Sequence, residues 1–378
     1  MDYPCAICGK ESPPVAEILG VCRECIVKNW TRAKPYVKEA HQISREEFGF
    51  PQKEELKKRG KSKGAVLCRQ CVNQCWIPSG KTGFCGIKEN RDGRLFLKAG
   101  TRSKGYVDYY YDPLPTNCVA SWVCGEREKG DYRKRELFPL RRVHEKNLAV
   151  FYQSCTFDCL YCQNWHFRLD IKSPRQLGAE ELAQAVDSQT RCVCYFGGDP
   201  ASQLPHSIAT SRQIIKQKGN TVRICWETNG SANPKMMKKA GEIALETGGT
   251  IKIDLKAFTP RIHQALTGCS NENTLENLKM LAEMGKQRSD PPLVCASTLL
   301  VPGYINNEEV RRIARFIASC DTNIPYSILA FYPAYMFDDI PITSRQHAQK
   351  AEEISREQGL TNVHIGNIHL LDHGEYLF

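Results

Sequence analysis

From about residue 147 onward, short apolar runs alternate with stretches whose apolar residues recur at helical spacing. The runs predict strands over 147–152, 191–196, 222–226, 250–255, 293–300 and 325–330, with 363–366 as a seventh. Their centres lie about 30 to 45 residues apart, the interval of a βα repeat. Between them the pattern predicts helices over 179–190, 205–218, 234–246, 273–284, 307–319 and 344–358. Val310, Ile313, Ala314 and Ile317 fall at i, i+3, i+4 and i+7 and mark one buried stripe. Asn306 with Glu309, and Thr343 with Gln346, read as capping boxes at the starts of the last two helices. Six βα units in succession predict an α/β fold whose parallel sheet curls into a partial or full barrel. Such a fold places its chemistry at the C-terminal strand ends.

Residues 1–146 lack this rhythm and have few long apolar periods. The expected division is a Cys-rich zinc-ribbon or rubredoxin-like element over 1–60, a Cys-rich basic region over 61–146, and a barrel over 147–378. A thin core of this kind calls for metal staples. Charge follows the same division. Residues 1–150 hold 29 Lys and Arg against 18 Asp and Glu, whereas 151–378 hold 23 against 24. The whole excess of +10 therefore lies in the N-terminal part. A composition of 41% hydrophobic and 25% charged residues excludes disordered, collagen-like and coiled-coil classes. No apolar run approaches the ~18 residues of a membrane span. Met1-Asp2-Tyr3-Pro4-Cys5 has neither a basic nor an apolar leader region, so a soluble, cytoplasmic protein is expected.

The 19 cysteines are too many and odd in number for a disulfide scaffold in a chain of 378 residues. Cys5/Cys8 and Cys22/Cys25 are two C-x2-C pairs, the spacing of a tetrahedral S4 site for Zn²⁺ or a rubredoxin-like iron. The alternative is unliganded thiols. Cys68, Cys71 and Cys75, with Cys85 further on, form a second set for another metal or cluster, or else a structural turn. Cys155, Cys159 and Cys162 form a C-x3-C-x2-C triplet directly after the first predicted strand. Three thiolates there hold three irons of a [4Fe–4S] cubane and leave the fourth iron open. Against this stands a zinc or structural cluster completed by a distant cysteine. Cys118, Cys124, Cys192, Cys194, Cys225, Cys269, Cys295 and Cys320 follow no metal-binding spacing.

The triplet resembles the signature of the radical S-adenosylmethionine (SAM) superfamily, and its Cys159-Leu-Tyr-Cys162-Gln-Asn-Trp165 is similar to the pyruvate-formate-lyase-activating-enzyme branch. Gly197-Gly198-Asp199-Pro200 resembles that family's G-G-E-P, which meets the methionine amino group. Glu227-Thr228-Asn229-Gly230 resembles D-T-N-G, and Asp254-Leu255-Lys256 resembles D-x-K. Leu300-Val301-Pro302-Gly303-Tyr304 resembles V-P-G-[WY]. Alone, each reads as a tight turn or a solvated loop; five in order, each at a predicted strand end, do not. Two departures are Asp199 in place of Glu, and Pro325-Tyr326-Ser327 where P-Y-H is usual. The resemblance implies a partial (βα)6 TIM-type barrel and an enzyme that binds a [4Fe–4S] cluster and SAM. It implies reductive cleavage of SAM to a 5′-deoxyadenosyl radical, which abstracts hydrogen from substrate.

Cys68-Arg-Gln-Cys71-Val-Asn-Gln-Cys75, then Gly83-Phe-Cys85-Gly86-Ile-Lys88-Glu-Asn90 and Asp112-Pro113-Leu114, resemble the region ahead of the barrel in AmmeMemoRadiSam-system enzymes, with Lys88 where Arg is usual. Tyr109, Tyr110, Tyr111 and Trp122 either roof the site or fill core. The expected substrate is a protein or peptide, docked on the basic N-terminal part and modified by C-methylation or glycyl-radical activation. The electron donor expected is flavodoxin- or ferredoxin-like. One alternative is a cobalamin-dependent C-methyltransferase acting on methyl-coenzyme M reductase. Another is RNA modification, with the basic runs at 57–63 and 133–135 gripping phosphates. A non-enzymatic iron–sulfur protein would need all five motifs to be coincidence.

Overall fold

The computed structural model describes residues 3–56, 64–114, 116, 118–125, 145–374 and 376; the basic runs at 57–63 and 133–135 and Asn117 lie outside the described residues. The N-terminal part holds helices α1 (Arg23–Lys28), α2 (Trp30–Glu46) and α3 (Lys53–Leu56). Two small hairpins follow, β1 (Val66–Leu67) with β2 (Trp76–Ile77), and β3 (Lys88–Arg91) with β4 (Arg94–Leu97). Then come β5 (Gly105–Pro113), β6 (Lys146–Tyr152), α4 (Phe167–Asp170), β7 (Gln176–Leu177) and α5 (Ala179–Gln184). The repeating part continues with β8 (Thr190–Gly197), α6 (Leu204–Lys218), β9 (Arg223–Thr228), α7 (Pro234–Thr247), β10 (Ile251–Asp254), α8 (Pro260–Thr267) and α9 (Glu272–Gly285). It ends with β11 (Val294–Leu300), α10 (Asn307–Cys320), β12 (Tyr326–Ala330), α11 (Arg345–Glu357) and β13 (Val363–Gly366).

One sheet organises the molecule, in the order β13-β12-β11-β10-β9-β8-β6-β5-β7. From β13 to β6 every pair is parallel, so all seven expected strands form. β5 and β7 add antiparallel strands at one edge. The apolar run of β8 is buried along most of its length. Tyr195 turns outward to α6, accepting a hydrogen bond from Ser211 Oγ at 3.1 Å, while Cys194 turns inward toward Lys252. Both faces are covered, the condition under which parallel strands read as continuous apolar runs.

Several local readings are corrected. Asn306 caps α10 as expected, accepting from the Glu309 backbone N at 3.1 Å. The Glu309 carboxylate does not close the box, because it is buried and accepts from Phe258 N, Thr259 N and Thr259 Oγ1. α11 is capped by Ser344, which accepts from His347 N, and not by Thr343. The Thr343 hydroxyl instead donates to Leu300 O and accepts from Phe331 N. The helix expected over 179–190 stops at Gln184. Asp187 then captures Gln189 N, Thr190 N and Thr190 Oγ1, which turns the chain into β8.

The V-P-G-Y turn after β11 is a docking point for the N-terminal part. Tyr304 Oη accepts from Ala16 N at 3.0 Å and donates to Val21 O at 3.3 Å. Gly303 has φ +80°, and a Cβ there would lie 2.3 Å from Pro14 O, so only glycine permits this approach.

Candidate active site at the strand ends

The triplet occupies the loop from β6 to α4. Cys155, Cys159 and Cys162 line one cavity of about 230 Å³ together with Gly197, Gly198, Asp199, Glu227, Asn229, Asp254 and Lys256. Pro200 is buried beside it and starts a short 3₁₀ turn. Four separate strand ends thus deliver the expected residues to one place. Burial pushes all three thiols up, and their mutual charges add to this for Cys155 and Cys159. Metal binding reverses that preference by stabilising the thiolates.

Each motif makes a defined local contact. Asp199 Oδ1 accepts from Ala201 N at 2.7 Å and Thr228 Oγ1 at 2.8 Å, and its Oδ2 accepts from Asn229 N at 2.6 Å. Burial raises its carboxyl to about 6 in spite of these donors. Its carboxylate therefore ties the β8 loop to the β9 loop and keeps roughly one of about four acceptor positions free. Asn229 Nδ2 donates to Thr156 Oγ1 at 2.9 Å, fixing the β9 loop to the triplet loop. Lys256 is paired with Asp254. Burial opposes its charge, but Asp254 holds the ammonium well above its ordinary range. Asp254 Oδ1 is buried with no partner among the described residues, so an acceptor is left over in the cavity wall. Glu227 lies 3.6 Å from the buried Lys252 ammonium, which also donates to Cys118 Sγ and Cys194 Sγ at 3.0 Å each.

Residues 149–317 match the model of the Radical SAM superfamily. The chain carries a radical SAM domain. Among curated relatives, an uncharacterised protein of Methanocaldococcus jannaschii is 25% identical over 80% of this chain and 81% of its own length. The pyruvate formate-lyase 1-activating enzyme of Escherichia coli is 26% identical over 44% of this chain and 66% of its own. The solved domain of a pyruvate-formate lyase-activating enzyme from Bacteroides vulgatus is 22% identical, covering 46% of this chain and 98% of that one with a TM-score of 0.37. Streptococcus suis SuiB bound to S-adenosylmethionine gives 16% identity and a TM-score of 0.44, covering 59% of this chain and 51% of that one. The radical SAM domain and its activating-enzyme homologues make this chain an enzyme.

The triplet's spacing suits the cluster a radical SAM domain implies. Among the described residues, only Cys5, Cys8, Cys22 and Cys25 bring three or more ligand atoms within 4.8 Å of one another. In the N-terminal group, Cys22 N donates to Cys5 Sγ at 3.3 Å. Burial raises the Cys5 thiol, but the N–H groups of Cys22, Ile7 and Cys8 outweigh it and pull it down to about 6.

The second cysteine set abuts the domain. The β1–β2 hairpin pairs Cys68 N with Cys75 O, and Phe84 N donates to Cys75 Sγ at 3.4 Å. Ser154 Oγ donates to Cys85 O, and Asn73 Nδ2 donates to Thr156 O, both inside the triplet loop. Tyr110 and Tyr111 are exposed on β5 and not core; Tyr110 meets Phe196 edge-on at 6.3 Å. Trp122 donates to Ser327 Oγ and stacks on His364 across the sheet's inner face.

Sequence reasoning passed over the polar anchor under the triplet. Asp158, inside the triplet, is fully buried and accepts from Arg168 Nη1 at 2.7 Å and Ser44 Oγ at 3.0 Å. His41 Nδ1 lies 2.9 Å from its other oxygen. The only signal in the sequence was a charged residue between two cysteines of the triplet.

Proposed function

We propose that this chain cleaves S-adenosylmethionine reductively and uses the radical to abstract hydrogen from a protein or peptide. The convergence of the triplet and three further strand-end segments on one cavity carries this reading. When bound there, a [4Fe–4S] cluster and SAM supply the low-potential electron and the sulfonium C–S bond that yields the 5′-deoxyadenosyl radical. Cys155, Cys159 and Cys162 hold the cluster. Lys256, kept cationic by Asp254, donates to a carboxylate; the free acceptor positions of Asp199 and Asp254 Oδ1 receive an ammonium. Gly197, Gly198 and Pro200 shape the turn beneath that ammonium, and Glu227 and Asn229 complete the wall.

The relatives named as activators of pyruvate formate-lyase support a protein substrate, met first by the basic residues 1–150. In this reading 147–378 is the catalytic barrel and 61–146 is a basic, Cys-rich region packed on it. Residues 1–60 form the knuckle, in which Cys5, Cys8, Cys22 and Cys25 hold one zinc or iron ion. Cys68, Cys71, Cys75 and Cys85 hold a second cluster beside the triplet, fed by a flavodoxin- or ferredoxin-like donor. Anaerobic reconstitution with dithionite and SAM tests the central claim. The expected result is 5′-deoxyadenosine from the wild type and none from Cys159→Ala. Equal or absent product in both overturns it. Cobalt in the metal inventory would assign the modification as methyl transfer.

A further inference from the structure

Two guanidinium groups are buried under the triplet loop, and one carboxylate faces them. Arg168 and Arg45 are 1% and 2% exposed, and both point at Asp158, at 2.7 and 3.8 Å. Arg45 spends its remaining donors on Pro51 O and Phe84 O and lies 3.6 Å over the Phe84 ring. Arg168 is different. Its Nε and Nη2 are buried and have no acceptor among the described residues. Its head forms part of the same cavity wall as Cys155, Cys159 and Cys162. A buried cation without sufficient anions is costly, and buried donors without acceptors add to the cost. Nearby groups able to supply both the missing negative charge and the missing acceptors are the triplet sulfurs. Sulfurs that bind iron do so as thiolates.

We propose that Arg168 is a positioning residue for the triplet site, whose guanidinium, aligned by Asp158, supplies the buried positive charge that favours the one-electron-reduced cluster. This rests on the triplet being the cluster site. Adding one electron to the cluster adds one negative charge with no proton, so a fixed cation beside the ligating sulfurs stabilises the reduced form more than the oxidised one. Charge and hydrogen bonds to the sulfurs are recognised controls of cluster potential. Asp158 sets the orientation by accepting from Nη1 at 2.7 Å, and Arg168 shares its cavity wall with the three triplet cysteines.

The test is an anaerobic, EPR-monitored redox titration of the full-length reconstituted protein with dithionite, reading the signal that Cys159→Ser removes. Arg168→Gln should lower the reduced-to-oxidised ratio at a fixed potential about tenfold, a midpoint about 59 mV more negative. Arg168→Lys, which keeps the charge, should recover most of it. Asp158→Asn, which leaves the guanidinium uncompensated, should move the midpoint upward. Unmoved midpoints in Arg168→Gln and Asp158→Asn, with iron content intact, overturn the inference and leave the cluster assignment standing. Where Arg168→Gln assembles no cluster, Asp158→Asn decides alone: an upward shift supports the inference and any other result overturns it. A wild-type chain with no cluster at the triplet overturns both readings.

Discussion

The knuckle and the triplet both gather cysteines from short C-x2-C-type loops, but the sulfurs meet different surroundings. In the knuckle, backbone N–H groups of the same loops reach the Cys5 sulfur and hold that thiol near 6, while burial pushes Cys22 and Cys25 up. Its four ligand atoms already lie within 4.8 Å of one another. In the triplet, burial pushes each thiol up, and the charged neighbours are Arg168 on the adjoining α4 and two residues of distant segments, Lys256 from beyond β10 and Asp199 from beyond β8. A site organised by its own backbone suits one ion and can form locally. One completed by remote charges needs the whole fold, and it gains reactivity from exposure to the cavity.

That contrast predicts separable losses, the largest effect first. Cys159→Ser should remove the triplet's iron and reduce 5′-deoxyadenosine formation at least 100-fold, about 2.7 kcal/mol of barrier or more, while the knuckle keeps its metal. Cys8→Ser should do the converse, losing one metal ion and lowering the melting temperature while the triplet still assembles. Metal analysis with a product assay on both variants checks this. Loss of both metals in either variant would mean the two sites fold as one unit.

Asp158→Ala should come next. It strands two buried guanidiniums, and breaking a buried pair by removing one partner costs about 3–5 kcal/mol. Chemical unfolding of wild type and variant measures it. A cost under about 1 kcal/mol would show that Arg168 and Arg45 find other partners or reach water.

The difference between the two regions also explains what could be read in advance. The parallel sheet was legible because strands buried on both faces write themselves as apolar runs, and because motifs follow directly on them. Asn306 and Val310, Ile313 and Ile317 then place α10 to within a residue. The helix α2 was not legible. Its buried positions are Ala33, Val37, Ala40, His41, Ser44 and Arg45, half of them polar, and Pro35 interrupts it. Those polar residues face Asp158 and the loop around Phe84, so the segment spends its buried face on charge where a sequence pattern looks for Leu and Ile. β5 was passed over for a related reason. Its Tyr110 and Tyr111 are exposed at the antiparallel side of the sheet and carry no alternation of burial. The second cysteine set was legible as spacing, but its attachment to the triplet through Ser154 and Asn73 required the fold.

Acid should probe the histidines buried in the repeating part. His206 and His263 are buried in the repeating part, and burial lowers both to about 4; Phe157 of the triplet loop packs edge-on against His263 at 5.1 Å. The knuckle loops contain no histidine. Between the unfolded value near 6.5 and the folded value near 4, the unfolded chain binds protons that the folded chain does not. Stability therefore falls as pH drops through that window and is fully present above it. The loss reaches about 3 kcal/mol per histidine at the acid end. Denaturant midpoints at pH 7.5, 6 and 5 should decline in that order, and a flat series would contradict the burial of these rings.

The smallest effect tests the seam between the two regions. Tyr304→Phe keeps the ring in its pocket and removes one hydroxyl that accepts from Ala16 N and donates to Val21 O. Both backbone groups flank the turn that leads into Cys22, so the lost contact lies next to the knuckle though the mutated residue follows β11. The expected cost is about 1–2 kcal/mol, the penalty of a buried N–H left without an acceptor. Because the ring and Gly303 still fix the turn, metal content at the triplet should not change. The knuckle should exchange its ion faster, since its supporting loop opens more readily. Metal release to a chelator measures that rate directly. Faster loss from the knuckle with unchanged triplet iron would show the seam supporting one side only. Equal acceleration at both sites would show that strain at the seam reaches the strand ends, and the two cysteine sites would then have to be treated as coupled.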